Sequence, residues 1–259
     1  MGIALVTGGT SGIGAEFARA LAARGHDLVL VARSTGPLDA MATELRATGR
    51  EVEVIVADLA DPGDTERVAQ RLRQTEKPVD ILVNNAGFGL HSKLRAPDVA
   101  EHERAIAVMI RAVLVLSAAA LEQMEPRRSG TIINVGSVAG EISLGGYSAI
   151  KGWVRTYTES LSNELRGSGV TVTDLMPGWV HTEFHRRADI RTSSIPEALW
   201  IDAGHLVEAC LRDVDAKKVL SIPTVRFKVL AWFTRHLPRS TMRSVSHRIS
   251  LSRSSSAAE

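Results

Sequence analysis

Tyr147 and Lys151 stand four residues apart, a spacing that puts both side chains on one face of a helix. A phenol ordinarily titrates near ~10, too high for efficient proton transfer at neutral pH. An ammonium beside it favours the phenolate and lowers that value. Ser137 lies shortly upstream and can supply a second hydroxyl to the same oxygen. Together the three make a proton-transfer group suited to a carbonyl oxygen. Alone, Tyr-x-x-x-Lys is an ordinary exposed helix face, so its meaning depends on the elements around it.

Those elements alternate. Ile3–Thr7, Asp27–Val31, Glu51–Ala57, Ile81–Asn84, Thr131–Val135, Val170–Leu175 and Lys218–Ile222 read as strands, most of them apolar on both faces. Between them Gly12–Arg24, Leu38–Ala47, Asp61 to about Glu76, Asp98–Glu125, Gly146–Arg166 and Asp202 to about Asp213 carry helical spacing or caps. Asp61-Pro62 gives an N-cap and an N1 proline. The pattern predicts an α/β fold, a doubly wound, Rossmann-type parallel sheet of about seven strands with helices on both faces. Residues 1–225 read as one domain and 226–259 as an extension.

Four turns at the carboxyl ends of strands form a candidate dinucleotide groove. Gly8, Thr10, Ser11, Gly12, Ile13 and Gly14 join the first strand to the first helix. Glycines there permit a close backbone approach to a pyrophosphate at a helix N-terminus. Arg33 and Ser34 follow the second strand, where an acid would bind a free ribose 2′-hydroxyl. Arginine suits a 2′-phosphate instead, so NADPH/NADP+ is expected in preference to NADH/NAD+. Asp58 and Leu59 follow the third strand at an adenine position, and Asn85, Ala86 and Gly87 line the groove after the fourth.

With these motifs in order, the sequence resembles the short-chain dehydrogenase/reductase family in its compact single-domain form, and is closest in character to bacterial ketoacyl reductases. The resemblance covers residues 2–222, through Thr7–Gly14, Asn84–Gly87, Asn134–Ser137, Tyr147–Lys151 and Pro177–Thr182. It implies that Tyr147 is the general acid in reduction, that Ser137 polarises the carbonyl, and that Lys151 holds the nicotinamide ribose and depresses the tyrosine pKa. Pro177 and Gly178 join the cofactor site, with Val180 and Thr182 at the carboxamide. Two departures accompany it. Met109 stands where the family often has a helix Asn in a proton relay, and Asn134 reads instead as turn support. The Ser137–Tyr147 interval is shorter than usual, so a tightened loop over Glu141–Gly146 is expected. The implied activity is NADPH-dependent reduction of a ketone or 3-oxoacyl group. Oxidation of an alcohol and a non-catalytic NADP-binding module are the alternatives; Met109 is the feature that favours the latter.

After Thr182 the rhythm lapses until Asp202, and residues 183–202 read as a substrate lid. Trp179, Phe184 and Trp200 are candidate walls of an apolar pocket for a hydrophobic carbonyl substrate. His181 and His185 have no partners at metal-ligand spacing, so no metal is expected. The resemblance also implies a homo-oligomer, a dimer or tetramer.

Composition bounds the rest. The chain has 259 residues, 44% hydrophobic and 23% charged, with a net charge of +2. This excludes a disordered chain and argues against a nucleic-acid partner. The near-neutral total hides an asymmetry: 24 bases and 28 acids in 1–225, seven and one in 226–259. Bases interleaved with Phe227, Leu230, Trp232 and Phe233 fit peripheral membrane contact, or a helix packed on the sheet edge. Apolar runs such as Ala112–Leu121 fall short of the ~20 residues that span a bilayer. With no sorting signal and one cysteine, Cys210, the expected location is the cytoplasm.

Overall fold

The apolar runs pair in parallel. β1 (Ile3–Thr7), β2 (Asp27–Ala32), β3 (Val52–Val56), β4 (Val79–Asn84), β5 (Gly130–Val135), β6 (Val170–Leu175) and β9 (Leu220–Ser221) form one sheet in the order β3-β2-β1-β4-β5-β6-β9. This computed structural model describes residues 2–90, 92–181 and 199–236, with 240, 241, 244 and 246. The predicted lid residues 183–198, Phe184 and His185 among them, lie outside the described residues, as does Thr182.

Alternation in the strands sends side chains to two helical layers. In β1, Ala4 and Val6 join a cluster with Phe17 and Leu21 of α1 (Gly12–Ala23) and Leu38 of α2 (Thr35–Arg46). Leu206 of α7 (Ala203–Asp215) completes that face. Leu5 points the other way, to Val68 of α3 (Pro62–Leu72), Leu116 of α5 (Ala112–Met124) and Leu161 of α6 (Gly146–Glu164). Each such buried Leu or Val contributes about 1.5–3 kcal/mol. The strand order reverses between β1 and β4, which opens a crevice at their carboxyl ends.

Local chemistry sets the helix ends. Asp61 accepts a bond from Asp64 N at 2.8 Å and Asp202 one from His205 N at 3.0 Å. α3 stops at Leu72, short of the expected Glu76, with Arg73 as its C-cap donating its N–H to Ala69 O at 3.0 Å. The helix predicted over Asp98–Glu125 is three pieces: α4 (Ala100–Ile106), a π-helical segment Ala107–Arg111, and α5. At 25 residues, Ala100–Met124 is long and apolar enough to cross a membrane, contrary to the expectation from shorter runs. Here it packs on α3 and β4, with Leu116, Ala119, Ala120 and Met124 buried.

The extension begins as α8 (Val225–His236), which packs on the fold through Phe227 and Ala231, clustered with Met176 and Ile222. Val225, Val229, Leu230, Trp232 and Phe233 remain exposed.

Candidate active site

Backbone geometry explains the glycines between β1 and α1. Gly8 and Gly12 adopt φ of +66° and +54°, a region that side chains disfavour. A Cβ on Gly14 would stand 2.2 Å from Gly8 O. Asn85 Nδ2 donates to Thr7 O at 2.9 Å and Gly8 O at 3.2 Å, while Thr7 Oγ1 accepts from the N–H groups of Asn85 and Ala86. The Asn85 amide thus holds the turn, and Thr7 is a linchpin that spacing alone does not single out. α1 has no side-chain cap and no acid in its first turn. A pyrophosphate fits that uncapped, positive helix end.

Arg33 is exposed just past β2. Asp58 is tied to Arg104 Nη2 at 2.7 Å and accepts from Ala60 N at 3.1 Å. Partial burial pushes the Asp58 carboxyl up. The Arg104 bond, the Ala60 N–H and the charges of Arg104 and Arg33 outweigh that and hold it below the usual range. Arg104, on α4, was not legible in the sequence because nothing there ties it to residue 58.

The three candidate proton-transfer residues come together. Ser137 hydrogen-bonds the Tyr147 hydroxyl and also accepts from Ala139 N at 3.1 Å. A 3-10 turn over Val138–Glu141 and a left-handed Gly145, φ +92°, take up the shortened loop. Lys151 Nζ donates to Val135 O at 2.8 Å and lies 5.7 Å from the Tyr147 ring centroid. Burial pushes the tyrosine up to about 12 against the pull of the Ser137 bond, so the phenol carries its proton at neutral pH. Burial pushes Lys151 down to about 8, opposed by Asp174.

Asn134 does not support a turn. It is fully buried in β5, where it accepts from Asn84 Nδ2 at 2.9 Å and donates to Thr158 Oγ1 at 2.9 Å. Asn84 also donates to Ser117 Oγ at 3.1 Å. This polar chain ties β4 and β5 to α5 and α6 inside an apolar layer. Met109 is buried in the π segment, its sulfur 3.1 Å from where a Gly87 Cβ would lie. It is core packing beneath the Asn85–Gly87 turn.

Beyond β6, Pro177 and Gly178 lead into β7 (Trp179–Val180), which pairs in parallel with β8 (Trp200–Ile201). Trp179 and Trp200 are register partners with ring centroids 6.1 Å apart, and His181 stacks on Trp200 at 4.7 Å. Two of the three predicted pocket residues therefore meet. The Phe227 ring occupies the space over Gly178, where a Cβ would approach it to 2.1 Å.

Comparison with known proteins agrees with this architecture. The short chain dehydrogenase family model matches residues 2–191. The chain is 35% identical over 187 residues to the 3-oxoacyl-acyl-carrier-protein reductase FabG of Escherichia coli, covering 71% of this chain and 75% of that protein. A short-chain dehydrogenase from Sphingobium yanoikuyae, solved in complex with NADPH, superposes with a TM-score of 0.83 at 36% identity, over 89% of this chain and 92% of that one. The bulky-bulky ketone specific alcohol dehydrogenase of Comamonas testosteroni gives a TM-score of 0.78 at 32% identity, over 97% and 93%. The protein is therefore an NAD(P)-dependent oxidoreductase, and the chain belongs to the short chain dehydrogenase family.

Proposed function

We propose that this enzyme reduces the carbonyl of a bulky, apolar ketone or 3-oxoacyl substrate with NADPH, and that Tyr147 supplies the proton. The hydrogen bond between Ser137 and Tyr147, with Lys151 behind the ring, is the observation that carries the proposal. The bound dinucleotide would supply a hydride to the carbonyl carbon. The remaining work falls to the protein. Gly8–Gly14 and the N-terminus of α1 hold the pyrophosphate, with Leu59 and Ala86 along the groove. Arg33 meets the 2′-phosphate by charge-assisted hydrogen bonds, and Arg104 neutralises the nearby Asp58 carboxylate that would repel it.

Ser137 fixes the substrate oxygen beside Tyr147. A phenol that stays protonated at neutral pH suits a general acid in the reductive direction. Once it has given its proton, the Lys151 ammonium stabilises the phenolate. Pro177, Gly178, Val180 and Thr182 belong to the nicotinamide side, in keeping with the family pattern. The Trp179–Trp200 layer next to Val180 favours a large apolar group on the substrate. That preference is in keeping with the ketone specificity named for the Comamonas testosteroni protein and the 3-oxoacyl activity named for FabG.

Incubation with 4-deuterated NADPH and a panel of aryl ketones and 3-oxoacyl thioesters, followed by mass spectrometry, tests the reading. Deuterium on the carbinol carbon of the bulky members is expected. No labelled alcohol from any member of the panel refutes it.

A further inference from the structure

Asp174, on β6, is fully buried, and neither carboxyl oxygen has a hydrogen-bond partner. The adjacent Gly136 N–H is already given to Leu175 O at 2.8 Å. Space is made for the acid: a Cβ on Gly136 would lie 2.2 Å from Asp174 Oδ1. Such a group is a liability to the fold, since an apolar side chain of similar size would avoid its desolvation. Packing therefore does not account for it, and its neighbours offer a better reason.

The groups facing Asp174 are Lys151, Arg155 and Glu159 from α6, the Gly136 N–H after β5, and Cys210 from α7. Arg155 is engaged by Glu141 at 2.7 Å and Glu159 at 3.6 Å. Lys151 makes no contact ion pair among the described residues; its Nζ is held by Val135 O, the register partner of Leu175, one residue along β6 from Asp174. The π segment packed on α6 contributes the apolar Met109 and no anion. Asp174 is thus the acid that acts on Lys151 inside the fold.

We propose that Asp174 is a positioning residue for the reaction, a buried carboxyl that keeps the Lys151 ammonium charged beneath Tyr147. It rests on the proton-transfer reading above. As pH rises, the first proton lost by the pair leaves the carboxyl for solvent. The carboxylate so formed holds the ammonium, and the lysine keeps its charge to higher pH. Burial raises Asp174 to about 8, which brings the carboxyl into the range where this exchange matters.

The test follows Lys151 directly, by NMR titration of protein labelled with ε-15N-lysine, alongside the pH profile of kcat/KM for the enzyme with NADPH. In Asp174→Asn the Lys151 midpoint and the alkaline limb of the profile should both move down by about one unit or more. Asp174→Glu, which keeps the charge, should restore the midpoint toward the wild-type value. An unmoved lysine midpoint in Asp174→Asn overturns the proposal, whatever happens to activity. Failure of the enzymatic reading would leave the lysine titration interpretable. Should the variants not fold, the wild-type protein decides. Its Asp174 carboxyl carbon should titrate before Lys151, and a carboxyl that ionises after the lysine contradicts the account.

Discussion

Asn134 Nδ2 donates to Thr158 Oγ1 at 2.9 Å, across the interface between β5 and α6, while its Oδ1 accepts from Asn84 at 2.9 Å. One buried amide thus fixes the strand that leads to Ser137 against the helix that carries Tyr147. Asn134→Ala would leave the Asn84 amide and the Thr158 hydroxyl each short of a partner. A loss of about 2–4 kcal/mol in urea unfolding is expected, with a lower kcat as Ser137 and Tyr147 drift apart. Unchanged stability would show that buried water replaces the amide.

Arg33 is exposed, so its substitution should leave the fold intact and alter only cofactor choice. Arg33→Asp removes a charge-assisted bond to a 2′-phosphate and adds an acceptor for a ribose hydroxyl. NADPH binding, followed by fluorescence titration, should weaken about tenfold to hundredfold while NADH binding strengthens. Equal affinities for the two in the wild-type protein would remove the reason for the phosphate assignment.

Asp174 has a stability signature separate from its effect on Lys151. Burial raises its pKa to about 8, well above the ~3.9 of an unfolded aspartate. The folded state therefore binds the extra proton between those values, and stability drains away as pH rises through that window. Asp174→Asn has no such proton to lose. Its Tm relative to wild type should climb from near parity at pH 4 to a clear gain by pH 8. A difference that does not change with pH would show that the carboxyl is not raised.

Phe227 fastens α8 over Gly178, next to the segment proposed for the nicotinamide side. Phe227→Ala should lower stability by about 3 kcal/mol and raise the KM for the dinucleotide, measured by thermal melts and steady-state kinetics. A fall in Tm with an unchanged KM would limit α8 to a packing role.

Much of this molecule could be read from local pattern. Strand alternation, the Asp61 and Asp202 caps and the left-handed glycines at 8 and 12 act within a few residues, so the sheet and the turn at Gly8–Gly14 were legible. What escaped depends on residues far apart in the chain. Arg104 meets Asp58 across 46 positions, and Asn134 meets Asn84 across 50. Neither pair has a spacing that sequence can flag. Asp174 read as one polar residue in an apolar strand, and only its neighbours in the fold give it a role. The π segment at Ala107–Arg111 was hidden too, because its composition is that of the α-helix on either side.

The central claim, proton donation by Tyr147, is tested most directly by NADPH oxidation against a bulky aryl ketone, wild type beside Tyr147→Phe. The account predicts turnover in the wild type and a loss of about 10²–10⁴-fold in the variant, with NADPH affinity nearly unchanged. Turnover in Tyr147→Phe within a few-fold of wild type would contradict it.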